Sequence, residues 1–227
     1  MSTTTTTFTV SASADDGYFF KNQSSSSAAT TYSSMLNSAE NVNVGILFDG
    51  DDYSFDHYQG FFRFQNIAVA QGATISSAYL KPYFASGTER SFKLYGYDED
   101  NVSAPSAGSD GNHTNFTTAG ISDFVISSTG GQKTSPDIKT IVQEIVDRPG
   151  WSSGNAMMFG MYFQSGVMYA NRYRTFRGYD YSSGSEAAEL VIEYEGGGGG
   201  GGSISGIAHK IGSKIANPVA YKIPNKE

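Results

Sequence analysis

Cysteine is absent from this chain of 227 residues. That removes disulfides and zinc–thiolate sites from consideration. Leucine is scarce and tryptophan occurs once, at Trp151. No apolar run approaches the roughly 18 residues that a membrane helix needs, so membrane insertion is not expected. Met1 to Thr7 is mostly threonine, with neither a basic nor an apolar segment. A cleaved secretory signal is therefore not expected, and synthesis in the cytoplasm is. The three histidines, His57, His113 and His209, are far apart. There is no phosphate-binding loop and no His-Glu-x-x-His. The expectation is a protein that is not an enzyme.

Positive charge is also in short supply. The net charge is −7, and Lys210, Lys214, Lys222 and Lys226 against Glu227 give residues 203–227 a net of +3, which leaves −10 for the rest. Such a field repels the phosphate backbone, so no nucleic-acid partner is expected.

What is abundant points to β structure. Tyrosine and phenylalanine number 15 each, beside many serines and threonines. Aromatic and β-branched side chains suit a pleated, half-buried surface. One stretch interrupts the pattern, the seven consecutive glycines Gly196 to Gly202. With no side chain to bury, such a run reads as a linker. The chain thus divides into a head, 1–195, a polyglycine linker, 196–202, and a basic-apolar tail, 203–227.

Within the head, alternation predicts strands at Phe8–Ser13, Tyr18–Lys21, Val42–Phe48, Gly60–Ile67, Thr74–Ala85, Ser91–Tyr97 and Ile121–Ser127. Asp15-Asp16-Gly17 and Gln71-Gly72 read as turns, Ser24–Ser38 as a polar loop and Asp98–Asn115 as a long acidic loop. Pro82 interrupts its strand and suits a sheet edge. On the Gly60 strand, Phe62 and Phe64 share one face, with Phe61, Arg63 and Gln65 on the other. One helix is expected, with Ser135 as N-cap, Pro136 first and Asp137 in the first turn. Ile138, Ile141, Val142, Ile145 and Val146 form its buried face. Pro149 ends it, and Trp151 caps it or binds ligand. Asn155–Gln164, Gly166–Arg177 and Glu186–Tyr194 are the last strands. Turn signals about every ten residues favour an all-β, antiparallel sandwich.

Several stretches carry a family resemblance: Ala14-Asp15-Asp16-Gly17-Tyr18, Phe62-Arg63-Phe64, Gly72-Ala73-Thr74-Ile75-Ser76-Ser77-Ala78, the helix before Trp151-Ser152-Ser153-Gly154-Asn155, and Ala188 to Tyr194. In this order they resemble the DNRLRE-type (disaggregatase-related) domains, which are similar to carbohydrate-binding modules. The resemblance implies an antiparallel jelly-roll β-sandwich with one short helix. It also implies a polysaccharide-binding, cell-surface or phage structural role. Secreted members carry a signal and a neighbouring enzyme domain, and this sequence shows neither.

Two sets of head residues are candidate sites. Tyr53, His57, Tyr58 and Trp151 would stack on sugar rings if they share a surface, because an apolar ring face packs on an aromatic one. The alternative is that they are core. Asp49, Asp51, Asp52 and Asp56 cluster at a turn and supply the oxygen ligands that a structural calcium takes, although the order is not that of an EF-hand. Asp98, Glu99 and Asp100 form a second acidic loop, and solvated turns are the alternative for both. No other cofactor is implied. The strand through Tyr173 has Tyr169, Asn171 and Thr175 on one face. Met168, Arg172, Arg174 and Phe176 lie on the other, a mixture rich in interface residues; pairing of the arginines with the acidic loops is the alternative.

In the tail, Ile204, Ile207, Ile211 and Ile215 recur every three or four residues beside Lys210 and Lys214, with Tyr221 further on. That spacing fits a short amphipathic helix or an extended segment that docks on a partner. The expectation is a homo-oligomeric, non-enzymatic structural or adhesion protein on a particle surface, such as a phage virion decoration or fibre. The tail would anchor it to other structural subunits, and the head would meet host surface or polysaccharide. The alternative is a free carbohydrate-binding module.

Overall fold

A computed structural model describes residues 2–24, 31–49, 53–86, 90–112, 114–126, 130–163 and 172–196. Among them are thirteen strands and one α-helix. The strands are β1 (Thr3–Thr9), β2 (Asp16–Gln23), β3 (Ser34–Leu36), β4 (Asn41–Asp49), β5 (Ser54–Phe64), β6 (Thr74–Lys81), β7 (Tyr83–Ser86), β8 (Arg90–Tyr97), β9 (Phe116–Ile126), β10 (Gly131–Gln132), β11 (Met157–Phe163), β12 (Arg172–Arg177) and β13 (Glu189–Glu195). The helix, α1, spans Lys139–Val146. Every strand pairing is antiparallel. The head is therefore an all-β, sandwich-like fold with one helix among the described residues. No described helix is long and apolar enough to cross a membrane. The tail residues Ile204, Ile207, Lys210, Ile211, Lys214, Ile215 and Tyr221 lie outside the described residues, as do 197–202 of the linker.

The smaller sheet runs β1-β13-β6, and the larger has ten strands. The main core lies between them. It joins Ala78, Leu80, Leu190 and Ile192 of the small sheet to Val42, Val44, Phe62, Phe92, Phe159 and Phe176 of the large one. The alternation along β5 divides two cores as its sequence predicts. Phe62 and Phe64 enter the main one, while Phe61 joins Phe19, Tyr97, Val102, Ala156 and Met158 in a second. β5 also links two halves of the large sheet. On the edge away from β2, β4 pairs with its residues 54–58 and β11 with 60–64. Gly60 marks the change of partner. A Cβ there would meet Val44 Cγ2 at 2.6 Å, so only glycine lets these strands approach.

Several boundaries differ from the sequence reading. β1 starts at Thr3 rather than Phe8, because the threonine run pairs residue for residue with β13. The first turn is a 3-10 helix at Ser13–Asp15, and Asp16 and Gly17 already belong to β2. The serine-rich loop contains β3. Pro82 separates strands of different sheets, since β6 belongs to the small sheet and β7 to the large one. The helix begins at Lys139 rather than Pro136. Ser135 and Asp137 instead cover the free edge of β6, where Ser135 Oγ accepts from Leu80 N–H and Asp137 Oδ1 from Ala78 N–H, both at 3.0 Å. Gln143 Oε1 accepts from Ile75 N–H further along. An uncovered edge would offer these groups to another chain. The helix's five predicted core residues are all fully buried.

Candidate functional site

Three aromatic side chains line up across the large sheet, and a fourth packs beside them. Tyr173 of β12 opposes Gly45 of β4, Gly45 opposes Tyr58 of β5, and Tyr58 opposes Phe20 of β2. Directly opposed residues of antiparallel strands project to the same face. Gly45 has φ +119°, a conformation that favours glycine. It puts no side chain between Tyr58 and Tyr173, and their ring centroids stand 6.3 Å apart. Tyr18 completes the group, edge-on to Tyr58 at 5.3 Å and 5.9 Å from Phe20. All four rings are half-buried.

Polar groups surround the rings. Thr175 Oγ1 donates to Asn43 Oδ1 at 3.2 Å, and Asn43 is hydrogen-bonded to the Tyr18 hydroxyl. Tyr58 Oη donates to Asp56 Oδ2 at 3.0 Å, and Asn22 Nδ2 donates to Asp56 Oδ1 at 3.1 Å. Burial, and then the Asp56 charge, push the Tyr58 phenol well above its ordinary range. It therefore stays a neutral donor at any physiological pH.

The sequence-read glycan set does not form one surface. Tyr58 is in the row. Its neighbour His57 points to the opposite face, is 3 % exposed and contacts Gln23 Nε2 at 3.1 Å. Tyr53 is 78 % exposed but leans toward Phe48, at 6.4 Å, which opposes Phe55 on the His57 side. Trp151 is 2 % exposed in the main core, and its Nε1 donates to Val69 O at 3.0 Å. It is a core residue beyond the helix end and has no ring face to offer. Sequence reading placed Tyr173 on a rich strand face but could not join it to Tyr18, Phe20 and Asn43. Their meeting depends on the register of four strands.

Of the acidic turn, Asp51 and Asp52 and the side chain of Asp49 lie outside the described residues, and Asp56 is engaged by Tyr58 and Asn22. In the second acidic loop, Arg148 holds both Asp98 and Asp100, the latter at 2.7 Å. That loop is thus bound by an arginine just after the helix. The Arg172 side chain lies outside the described residues, and Arg174 Nη1 donates to Tyr173 O. A groove of about 300 Å³ lies nearby, lined by Tyr97, Glu99, Val102, Pro105, Asp110 and Met158. Asp110 accepts from the backbone N–H groups of Ser106 and Ala107, which lowers its pKa and ties it to its own loop.

A second cluster, not recognised as a site from sequence, sits where β2 begins. Asp15 is buried and paired with Arg63 at 2.5 Å and with Gln65 Nε2 at 2.6 Å. Asp16 is fully buried, with Oδ2 accepting from Tyr179 N–H at 2.9 Å. Burial first, and then the charges of Asp180 and Asp15, raise its pKa from 3.8 to about 8, against the lowering effect of the Tyr179 bond. The sign follows. Between pH 3.8 and about 8 the folded state keeps a proton that the unfolded chain releases, so stability falls as pH rises through that window. In chelator, the wild-type Tm should drop between pH 5 and pH 8.5. Asp16→Asn should flatten the profile, and parallel profiles would place Asp16's charge outside the folding balance.

Compared with known proteins, the sequence matches no family model, and no curated protein matches it.

Proposed function

We propose that the head is a non-enzymatic polysaccharide-binding module and that Tyr18, Phe20, Tyr58 and Tyr173 form its contact surface. The in-register row Tyr173–Gly45–Tyr58–Phe20 carries this reading. A sheet face accommodates an extended chain, sugar rings pack on aromatic faces, and Asn22, Asn43, Asp56 and Thr175 can bond hydroxyls. We read the sandwich as a jelly roll of the kind that the DNRLRE-type resemblance implies. We also read the whole chain as a homo-oligomeric adhesion protein on a particle surface, a virion decoration or fibre. The glycine run and the isoleucine-lysine spacing of residues 203–227 support a tethered anchor on other structural subunits.

The test is retention of the full chain on immobilised polysaccharides in affinity electrophoresis. Tyr58→Ala and Tyr173→Ala should each weaken retention about tenfold, as for central aromatic anchors, with little change in Tm. Unchanged retention by the double variant would sink the assignment of this face. The anchor is tested separately, by fusing 196–227 to an inert reporter and sedimenting it with particles from the source. Failure to co-sediment would leave a free binding module.

A further inference from the structure

The start of β2 forms an acidic corner around Asp16. Its Oδ1 is buried and has no hydrogen-bond partner, and the same is true of Asp180 Oδ2. The other oxygen of each is occupied, Asp16 Oδ2 by Tyr179 N–H and Asp180 Oδ1 by Ser13 Oγ at 2.7 Å. A third acceptor, Ala39 O, lies close to Asp16 Oδ1. A Cβ on Gly178 would lie 2.8 Å from Ala39 O and 3.3 Å from Asp16 Oδ1. Gly178 N–H donates to Glu40 O at 2.9 Å, which fixes the carbonyl-bearing turn of residues 39–40 against the 178–180 turn. Asp15 is neutralised by Arg63, whereas among the described residues no ion pair involves Asp16 or Asp180.

We propose that Asp16 Oδ1, Asp180 Oδ2 and Ala39 O hold a calcium ion that pins the start of β2 to the turn after β12. Buried acceptors without donors incur the full loss of hydration, and a divalent cation removes that penalty for both carboxylates at once. The donor set is all oxygen, two carboxylates and a carbonyl, which suits a hard cation with waters completing six to eight ligands. Among the described residues no three acidic or histidine side chains are grouped for a metal. That argues against zinc-like coordination but not against a calcium site completed by carbonyl and water. This site is separate from the Asp49–Asp56 turn read in the sequence.

The experiment is calorimetry of the full chain, stripped with chelator and titrated at pH 7.5 with calcium chloride and, separately, magnesium chloride. Calcium should raise Tm saturably, by about 5 to 10 °C at a hundredfold excess over Kd, and magnesium by less. Asp16→Asn should abolish the response while folding as well as the stripped wild type, because an amide can still accept from Tyr179 N–H and carries no charge. Asp180→Asn should weaken it at least tenfold. The double variant Asp51→Asn, Asp52→Asn should keep it. No calcium-dependent shift in the wild type would overturn the proposal. So would a shift that survives Asp16→Asn or vanishes in the Asp51, Asp52 variant.

Discussion

Trp151→Ala is expected to cost about 3 to 5 kcal/mol, the range for deleting a large buried aromatic. The ring is enclosed by the main core. Its Nε1–H satisfies the carbonyl of Val69, and its own N–H closes the turn on Arg148 O. Alanine would leave a cavity and an unpaired acceptor together. Urea unfolding monitored by circular dichroism reads the loss directly. Trp151→Phe, which keeps most of the volume, should cost about 1 to 3 kcal/mol. A loss under about 1 kcal/mol for the alanine variant would mean that the ring is not core. The consequence for function is practical. Any polysaccharide binding lost in Trp151→Ala reports unfolding, whereas loss in Tyr58→Ala with an unchanged melt reports the sheet face.

Arg63→Ala should be nearly as damaging, at about 3 to 5 kcal/mol, because it strands the Asp15 carboxylate in a site where that residue is 1 % exposed. Arg63 Nη1 pairs with Asp15 Oδ1 at 2.5 Å, and its Nε donates to Val102 O at 2.8 Å. The guanidinium thus joins the 3-10 turn before β2 to the loop after β8. Arg63→Met combined with Asp15→Asn should recover a large part of the loss, since removing both charges is far cheaper than removing one. A double-mutant cycle in urea measures the coupling. A coupling near zero would show that the pair contributes nothing to stability. Because Asp15 adjoins Asp16, the cycle belongs in chelator, apart from calcium binding.

Much of the head was legible along the chain. The alternations at Val42–Ile46, Phe61–Phe64 and Phe92–Gly96 identified strands and their buried faces, and the i, i+3, i+4 spacing from Ile138 identified the helix. These signals are local, set by the two-residue and 3.6-residue periods of the backbone. The helix start was misplaced for a tertiary reason. Ser135 and Asp137 have the chemistry of helix caps, but their oxygens accept from the amides of Leu80 and Ala78 at a bare sheet edge, and Asp137 Oδ1 also accepts from Lys139 N–H at the helix start.

The candidate sites belong to the other category. Composition and spacing alone determined an acidic, aromatic, cysteine-free β domain followed by a glycine run, because those properties are sums over residues. Only the tertiary structure decided that Trp151 is core, that His57 and Tyr58 part company, and that Tyr58 meets Tyr173 across Gly45. Neighbouring residues in a strand point to opposite faces, so adjacency in sequence separates them in space. Register between strands then assembles residues 18, 20, 58 and 173. The acidic corner was hidden for the same reason. Asp16 and Asp180 stand at opposite ends of the head's sequence, and only folding buries them together and leaves an oxygen of each without a donor.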